Sequence, residues 1–104
     1  MAKFVLVYTG GRMQTTPEEQ QKAMEAWMGW FGGLGADVVD MGNPFGASST
    51  VRPDGSAADG GASSLGGYSV IEAASLADAA SKAKGCPVLA GGGNVEVYEA
   101  LSVP

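Results

Sequence analysis

The 104-residue chain contains no histidine and a single cysteine, Cys86. Without histidine there is no imidazole base for a Ser-His-Asp or Cys-His arrangement and no ordinary zinc or copper ligand set. A lone cysteine allows no internal disulfide. Metal chemistry would rest on carboxylates alone, so no metal site and no cofactor are expected. Basic residues are also few: six Lys and Arg stand against eleven Asp and Glu, a formal net charge of -5 at pH 7. The six are scattered between Lys3 and Lys84, with Lys82 and Lys84 the only close pair, so nucleic acid is excluded as an expected partner. No window approaches the roughly 18 consecutive apolar residues of a membrane span. Met1 to Tyr8 lacks the long apolar core and cleavage site of a signal peptide, and the expectation is a cytoplasmic protein with no membrane partner.

What the chain does have is glycine, 17 residues, and an apolar content of 45%. That is enough for one core and too little length for two, so residues 1–104 read as a single domain. Lys3 to Thr9 is a strand with Phe4, Leu6 and Tyr8 on one face and Val5 and Val7 on the other. Thr16-Pro17-Glu18-Glu19 then has the layout of a helix start, with Thr16 as N-cap and Pro17 in the first turn. The helix runs from Pro17 to about Leu34, with an apolar stripe of Ala23, Trp27, Trp30, Phe31 and Leu34, widened by Met24 and Met28. Gly35 stops it. Gly29, Gly32 and Gly33 cost helix stability, which predicts compensation by close approach of another backbone.

Asp37 to Met41 reads as a second strand, ended by Gly42-Asn43-Pro44-Phe45-Gly46. Ala47 to Gly66 is a long polar connection with a turn at Pro53-Asp54-Gly55. Tyr68 to Ala73 is a third strand, Leu76 to Lys84 a second helix capped by Ser75, and Val95 to Leu101 a last strand. The order β-α-β-β-α-β is that of a ferredoxin-like α+β sandwich. With right-handed crossovers both helices cover one face of the sheet. The first strand is apolar on both faces, so the other sheet face predicts a homodimer packed sheet against sheet, forming a dimeric α/β barrel.

Each motif with chemical potential has a plainer reading. Gly91-Gly92-Gly93 precedes a strand instead of opening a helix, and is a turn. Gly10-Gly11-Arg12 lies between strand and helix, but Thr16 is six residues on from Gly10 and no Lys-Ser or Lys-Thr pair follows, so it reads as a connection. Cys86, between a helix-ending Gly and Pro87, is either packing or a partly exposed thiol without a base. Trp27 and Trp30 are either core or the wall of a ligand cleft. Asp37 and Asp40, three apart on a strand, face opposite sides and are no preset pair.

Several runs carry a resemblance: Trp27-Met28-Gly29-Trp30-Phe31-Gly32-Gly33-Leu34-Gly35, Val39-Asp40-Met41-Gly42-Asn43-Pro44, Asp54-Gly55, Gly67-Tyr68-Ser69-Val70-Ile71-Glu72-Ala73, and Gly85-Cys86-Pro87-Val88-Leu89 on to Glu96-Val97. Over nearly its whole length the chain resembles the YCII-related (DGPF-like) domain proteins. The resemblance implies a dimeric α/β barrel of ferredoxin-like subunits. Some members carry a His and Asp pair proposed as catalytic, and one branch resembles dehydrochlorinases acting on chlorinated hydroxyquinones. The helical His would fall near Glu25 to Trp27 and the Asp of an Asp-Pro motif at Cys86, so this chain departs from the pattern at both. Other DGPF-like domains are associated with extracytoplasmic-function sigma factors.

Three functions follow as expectations. The first is a small-molecule binding protein with its cleft where the first helix meets Asp40 to Asn43, built from Trp27, Trp30, Asp40 and Asn43. Tyr68 and Cys86 join that set through the resemblance. The second is a regulatory or protein-interaction module acting through the Ala47 to Gly66 loop. The third, a lyase or isomerase, would draw its acid and base from Asp40, Glu25, Tyr68 or Cys86.

Overall fold

The computed structural model describes residues 1–11, 15–61 and 63–103. Arg12, the third residue of the Gly10-Gly11-Arg12 connection, lies outside them. The elements are β1 (Ala2–Thr9), α1 (Pro17–Leu34), β2 (Val38–Asp40), β3 (Ser49–Val51), β4 (Ala57–Asp59), β5 (Leu65–Ala73), α2 (Leu76–Ala83) and β6 (Asn94–Ala100). Four of the strands form one sheet in the order β2-β5-β1-β6, with every neighbouring pair antiparallel. Both helical crossovers skip one strand, as a ferredoxin-like α+β sandwich requires.

The helix starts form as their sequences dictate. The Thr16 side chain accepts from the Glu19 N–H at 3.1 Å, and Pro17 occupies the first turn, where a missing N–H costs nothing. Gly35 takes φ +58° and turns its own N–H back to the Phe31 carbonyl. Ser75 caps α2 through the Asp78 N–H at 3.1 Å, while the Asp78 carboxylate accepts from the Ala74 N–H at 3.0 Å. That second bond, with Lys82 beside it, holds the Asp78 carboxyl below the usual range.

Alternation along β1 sends Phe4, Leu6 and Tyr8 into the space between sheet and helices. Register places them opposite Ile71, Ser69 and Gly67 of β5. Ala73, Ala79 and Cys86 complete the fully enclosed cluster. Burying each of Phe4, Leu6 and Ile71 contributes about 1.5–3 kcal/mol. Small residues on α2, Ala79 and Ala83, let that helix lie close to the strands.

The structure corrects several expectations. No residue of α1 is fully buried. Met24 and Met28 do not widen its core stripe; they stand 64% and 55% exposed. Among the described residues a Cβ added at Gly29, Gly32 or Gly33 would meet nothing within 4 Å, so none of their backbone approaches these glycines. Asp37 is not in a strand. It ends a 3-10 turn, Gly35–Asp37, and β2 spans three residues with a register irregularity between Val38 and Asp40, so simple alternation does not apply there. Of the two readings of Cys86, packing is the one that holds: it is 3% exposed.

The Ala47 to Gly66 connection contains a small hairpin of β3 and β4, joined by the Pro53-Asp54-Gly55 turn. Its polar side chains make it: Ser49 Oγ donates to the Ala58 carbonyl at 2.9 Å, Thr50 Oγ1 to that of Gly60 at 2.6 Å, and Ser48 Oγ accepts from the Gly61 N–H at 2.9 Å. This explains why a segment with little apolar content still has a definite shape.

Candidate functional site

The incomplete burial of α1 leaves open space on both sides of Trp27. Tyr8 meets Trp27 edge-on with ring centroids 5.0 Å apart, and Trp27 in turn meets Trp30 at 5.8 Å. One side is a cleft of about 460 Å3 between α1, the 41–44 turn and the beginning of β5. Its walls include Met24, Trp27, Met28 and Phe31 from the helix, Met41, Asn43 and Pro44 from the turn, and Tyr8, Tyr68 and Ser69 from the sheet. The other side is a cavity of about 790 Å3 between α1 and the 84–91 segment, where Trp27, Trp30 and Cys86 contribute together with Lys22 and Lys84. Both volumes suit small ligands.

The cleft wall at 41–44 has one geometry available. Gly42 has φ +75°, and a Cβ there would lie 1.7 Å from the Tyr68 carbonyl oxygen. Only glycine can bring the turn this close to β5. The turn is tied from both ends: Asp40 Oδ1 accepts from the Gly42 N–H at 2.8 Å, and the Asn43 carbonyl accepts from the Tyr68 N–H at 3.3 Å.

Beneath the turn runs a short relay. Ser69 Oγ, fully buried, donates to the Met41 carbonyl at 2.6 Å. Tyr8 donates its hydroxyl to Ser69 Oγ, also at 2.6 Å. Burial pushes the Tyr8 phenol up to about 12, against a smaller opposing effect of the Ser69 hydrogen bond, so it is neutral at physiological pH.

The structure thus distributes the six expected site residues. Trp27, Asn43 and Tyr68 line the cleft beside the 41–44 turn. Trp30 and Cys86 belong to the larger cavity, which Trp27 shares. Trp30 is also an anchor, since its indole N–H donates to the Lys82 carbonyl at 3.1 Å. Asp40 lines neither space; it stands at the margin, where Tyr68 donates its hydroxyl to Oδ2 at 3.5 Å. Phe45 stacks on Tyr68 from outside, with ring centroids 5.7 Å apart.

Of the groups considered for acid–base work, Asp40 and Tyr68 are the two brought into contact. Glu25 lines neither space and accepts from the Gln21 side-chain amide at 3.1 Å. The Cys86 thiol is pushed up to about 11 by burial, which leaves it protonated and weakly nucleophilic at neutral pH. Among the described residues, no three His, Cys, Asp or Glu side chains gather as a metal site. No helix among them is long and apolar enough to cross a membrane.

Sequence reasoning missed Tyr8, Ser69, Phe31 and the three methionines as cleft residues. The signal for Ser69 was available: it is a hydroxyl at an inward position of an otherwise apolar alternation, Ser69, Ile71, Ala73. A buried hydroxyl needs a partner, and Tyr8, on the strand alongside, supplies one. The methionines carried no such mark, because a helix-spaced Met reads as core whether or not anything covers it.

No protein-family model, curated protein or solved structure matches the chain.

Proposed function

We propose that this chain is a YCII-related small-molecule binding protein whose ligand occupies the cleft beside α1, and that it works as a homodimer. The observation that carries the binding reading is the cleft itself. About 460 Å3 of space is bounded by rigid aromatic walls from Tyr8, Trp27 and Phe31 and by adaptable walls from Met24, Met28 and Met41. Space of this kind is costly to leave uncovered, and a ligand that fills it recovers the apolar area. The expected result of a thermal-shift screen of small organic molecules is a set of stabilising hits that Trp27→Ala abolishes, since a native-state ligand raises stability in proportion to RT ln(1 + [L]/Kd). A screen without hits removes the reading.

Dimerisation rests on a surface argument. The chain exposes 6947 Å2. A folded monomer of its mass, 10.4 kDa, exposes about 5,400 Å2. The excess, about 1,500 Å2, is the scale of one protomer's share in a large homodimer interface. Part of it belongs to the β3–β4 hairpin and part to the helix-free face of the sheet, where Val5 stands between Val70 and Tyr98 and Val7 between Tyr68 and Glu96. Tyr98 is 55% exposed there, with its hydroxyl on Glu96. Sedimentation at micromolar concentration is expected to give a dimer, and Val7→Lys a monomer. A wild-type monomer would refute it.

The interaction-module reading has its own support in the β3–β4 hairpin, which among the described residues has no extensive packing on any other helix or strand. Isolated hairpins are marginal in water. Deleting residues 48–61 with a short replacement turn separates the readings, because small-molecule hits survive the deletion and a hairpin-borne partner does not. A lyase or isomerase is disfavoured by the lack of histidine and the silent thiol of Cys86.

A further inference from the structure

Resting on the cleft reading above, we infer that the ligand is uncharged and places a single N–H or O–H group against the oxygen of Tyr8. The first half comes from what the walls omit. Among the described residues fifteen line the cleft, and none of these is Asp, Glu, Lys or Arg. A charge carried into such a space loses its water and gains no counter-charge, which disfavours ions of either sign. The nearest carboxylate, Asp40, lies outside the lining, and both its oxygens are engaged, one by the Gly42 N–H and the other by the Tyr68 hydroxyl.

The second half follows from the direction of the relay. A carbonyl can only accept, so the Met41 carbonyl takes the Ser69 hydroxyl hydrogen. Ser69 then has no hydrogen left for Tyr8, and the Tyr8–Ser69 bond must use the Tyr8 hydrogen. Tyr8 is left with lone pairs and nothing to donate. No described residue donates to that oxygen, and Tyr8 and Ser69 both line the cleft. Burial keeps the phenol neutral, so it meets a donor as a hydrogen-bond acceptor and not as an anion. The flat walls of Trp27 and Phe31, flanked by three methionines, fit a planar apolar body around that one polar contact.

Isomeric probes isolate the donor. 3-Methylindole and 1-methylindole have the same atoms and nearly the same area, and only the first has an N–H. Binding of each to the full chain is followed by amide shift titration, reading Gly42, Gly66, Gly67 and the indole N–H of Trp27. Indole-3-carboxylate and tryptamine supply the charged arms. The expected result is localised binding of 3-methylindole, with 1-methylindole weaker by about tenfold, the worth of one hydrogen bond. Both charged probes are expected to be weaker by at least as much. Tyr8→Phe, which keeps the Ser69–Met41 bond, is expected to bring the two isomers to equal affinity.

Equal affinity of the isomers for the wild-type protein overturns the assignment of a donor to Tyr8 and leaves the cleft standing. A charged probe that binds as well as 3-methylindole overturns the uncharged class. Absence of any shift in the cleft signals with all four probes overturns both this inference and the cleft reading beneath it. The isomer comparison needs no variant, so a Tyr8→Phe protein that fails to fold does not shield the inference.

Discussion

Replacing Ser69 with alanine deletes one oxygen from a position with no solvent access, and the structure says what that oxygen does. It accepts from Tyr8 and donates to the Met41 carbonyl, each at 2.6 Å. The net worth of two neutral hydrogen bonds is about 2 kcal/mol, and stranding a buried donor or acceptor adds about 1–3 kcal/mol. Tyr8 borders the cleft, where water can reach it in the absence of ligand, so the stranding penalty falls at the lower end. The expected loss for Ser69→Ala is therefore about 2–4 kcal/mol, or roughly 10–20 °C in Tm for a chain of this size. Tyr8→Phe leaves the Ser69–Met41 bond intact and should cost about 0.5–1.5 kcal/mol. In the double variant no Tyr8 hydroxyl is left to strand and the Tyr8–Ser69 bond is lost only once, so the summed single losses should exceed the double loss by about 2 kcal/mol. Urea unfolding followed by tryptophan fluorescence, at one fixed protein concentration, measures all four species. A Ser69→Ala loss below about 0.5 kcal/mol, or strict additivity, would refute the relay as the tie between β1, β5 and the 41–44 turn.

Four further outcomes are expected. Stability should fall as pH rises from 9 to 12: Cys86 and Tyr8 ordinarily titrate near 9.0 and 10.0 but are raised to about 11 and about 12 in the folded chain, so their neutral forms support the fold below the lower values and lose that support on the way up. Tyr8→Phe should flatten the upper part of this decline, which unfolding midpoints measured across the range will show. Gly42→Ala forces a left-handed backbone on a residue with a side chain and drives a Cβ onto the Tyr68 carbonyl, for an expected loss of about 2–5 kcal/mol by denaturant titration. Lys82→Met removes a cation held by Asp37 at 3.1 Å, Asp78 at 3.2 Å and the Glu72 carbonyl at 3.3 Å, and should lower Tm at low ionic strength by more than it does in molar salt. Asp40→Asn keeps an oxygen for the Gly42 N–H, so Tm should hold and 3-methylindole should bind as before, while discrimination against indole-3-carboxylate in the same titration relaxes.

Local chemistry determined the elements. Thr16 and Pro17 start a helix and Gly35 ends it wherever they occur together, because they satisfy or omit the orphan groups of the first and last turns. Period-2 alternation in β1 and β5 chose the inward faces, and the order of strands and helices with the handedness of crossovers then left one sheet topology. Expectations failed where a residue's role depends on what stands opposite it. The helical spacing of Met24 and Met28 cannot tell a core stripe from a cleft wall, since the difference lies in whether a neighbouring element comes close enough to cover them. Asp37 ends a 3-10 turn instead of opening a strand, and its carboxylate meets Lys82, far along the chain, a partner that local pattern does not reveal. Trp27 and Trp30, equivalent on the helix stripe, were separated by long-range partners: the Lys82 carbonyl took the indole N–H of Trp30, while Trp27 was left facing open space on both sides. The cleft belongs to the tertiary structure alone, because it exists only where Gly42 lets one turn touch β5 and so holds the 41–44 wall across from α1.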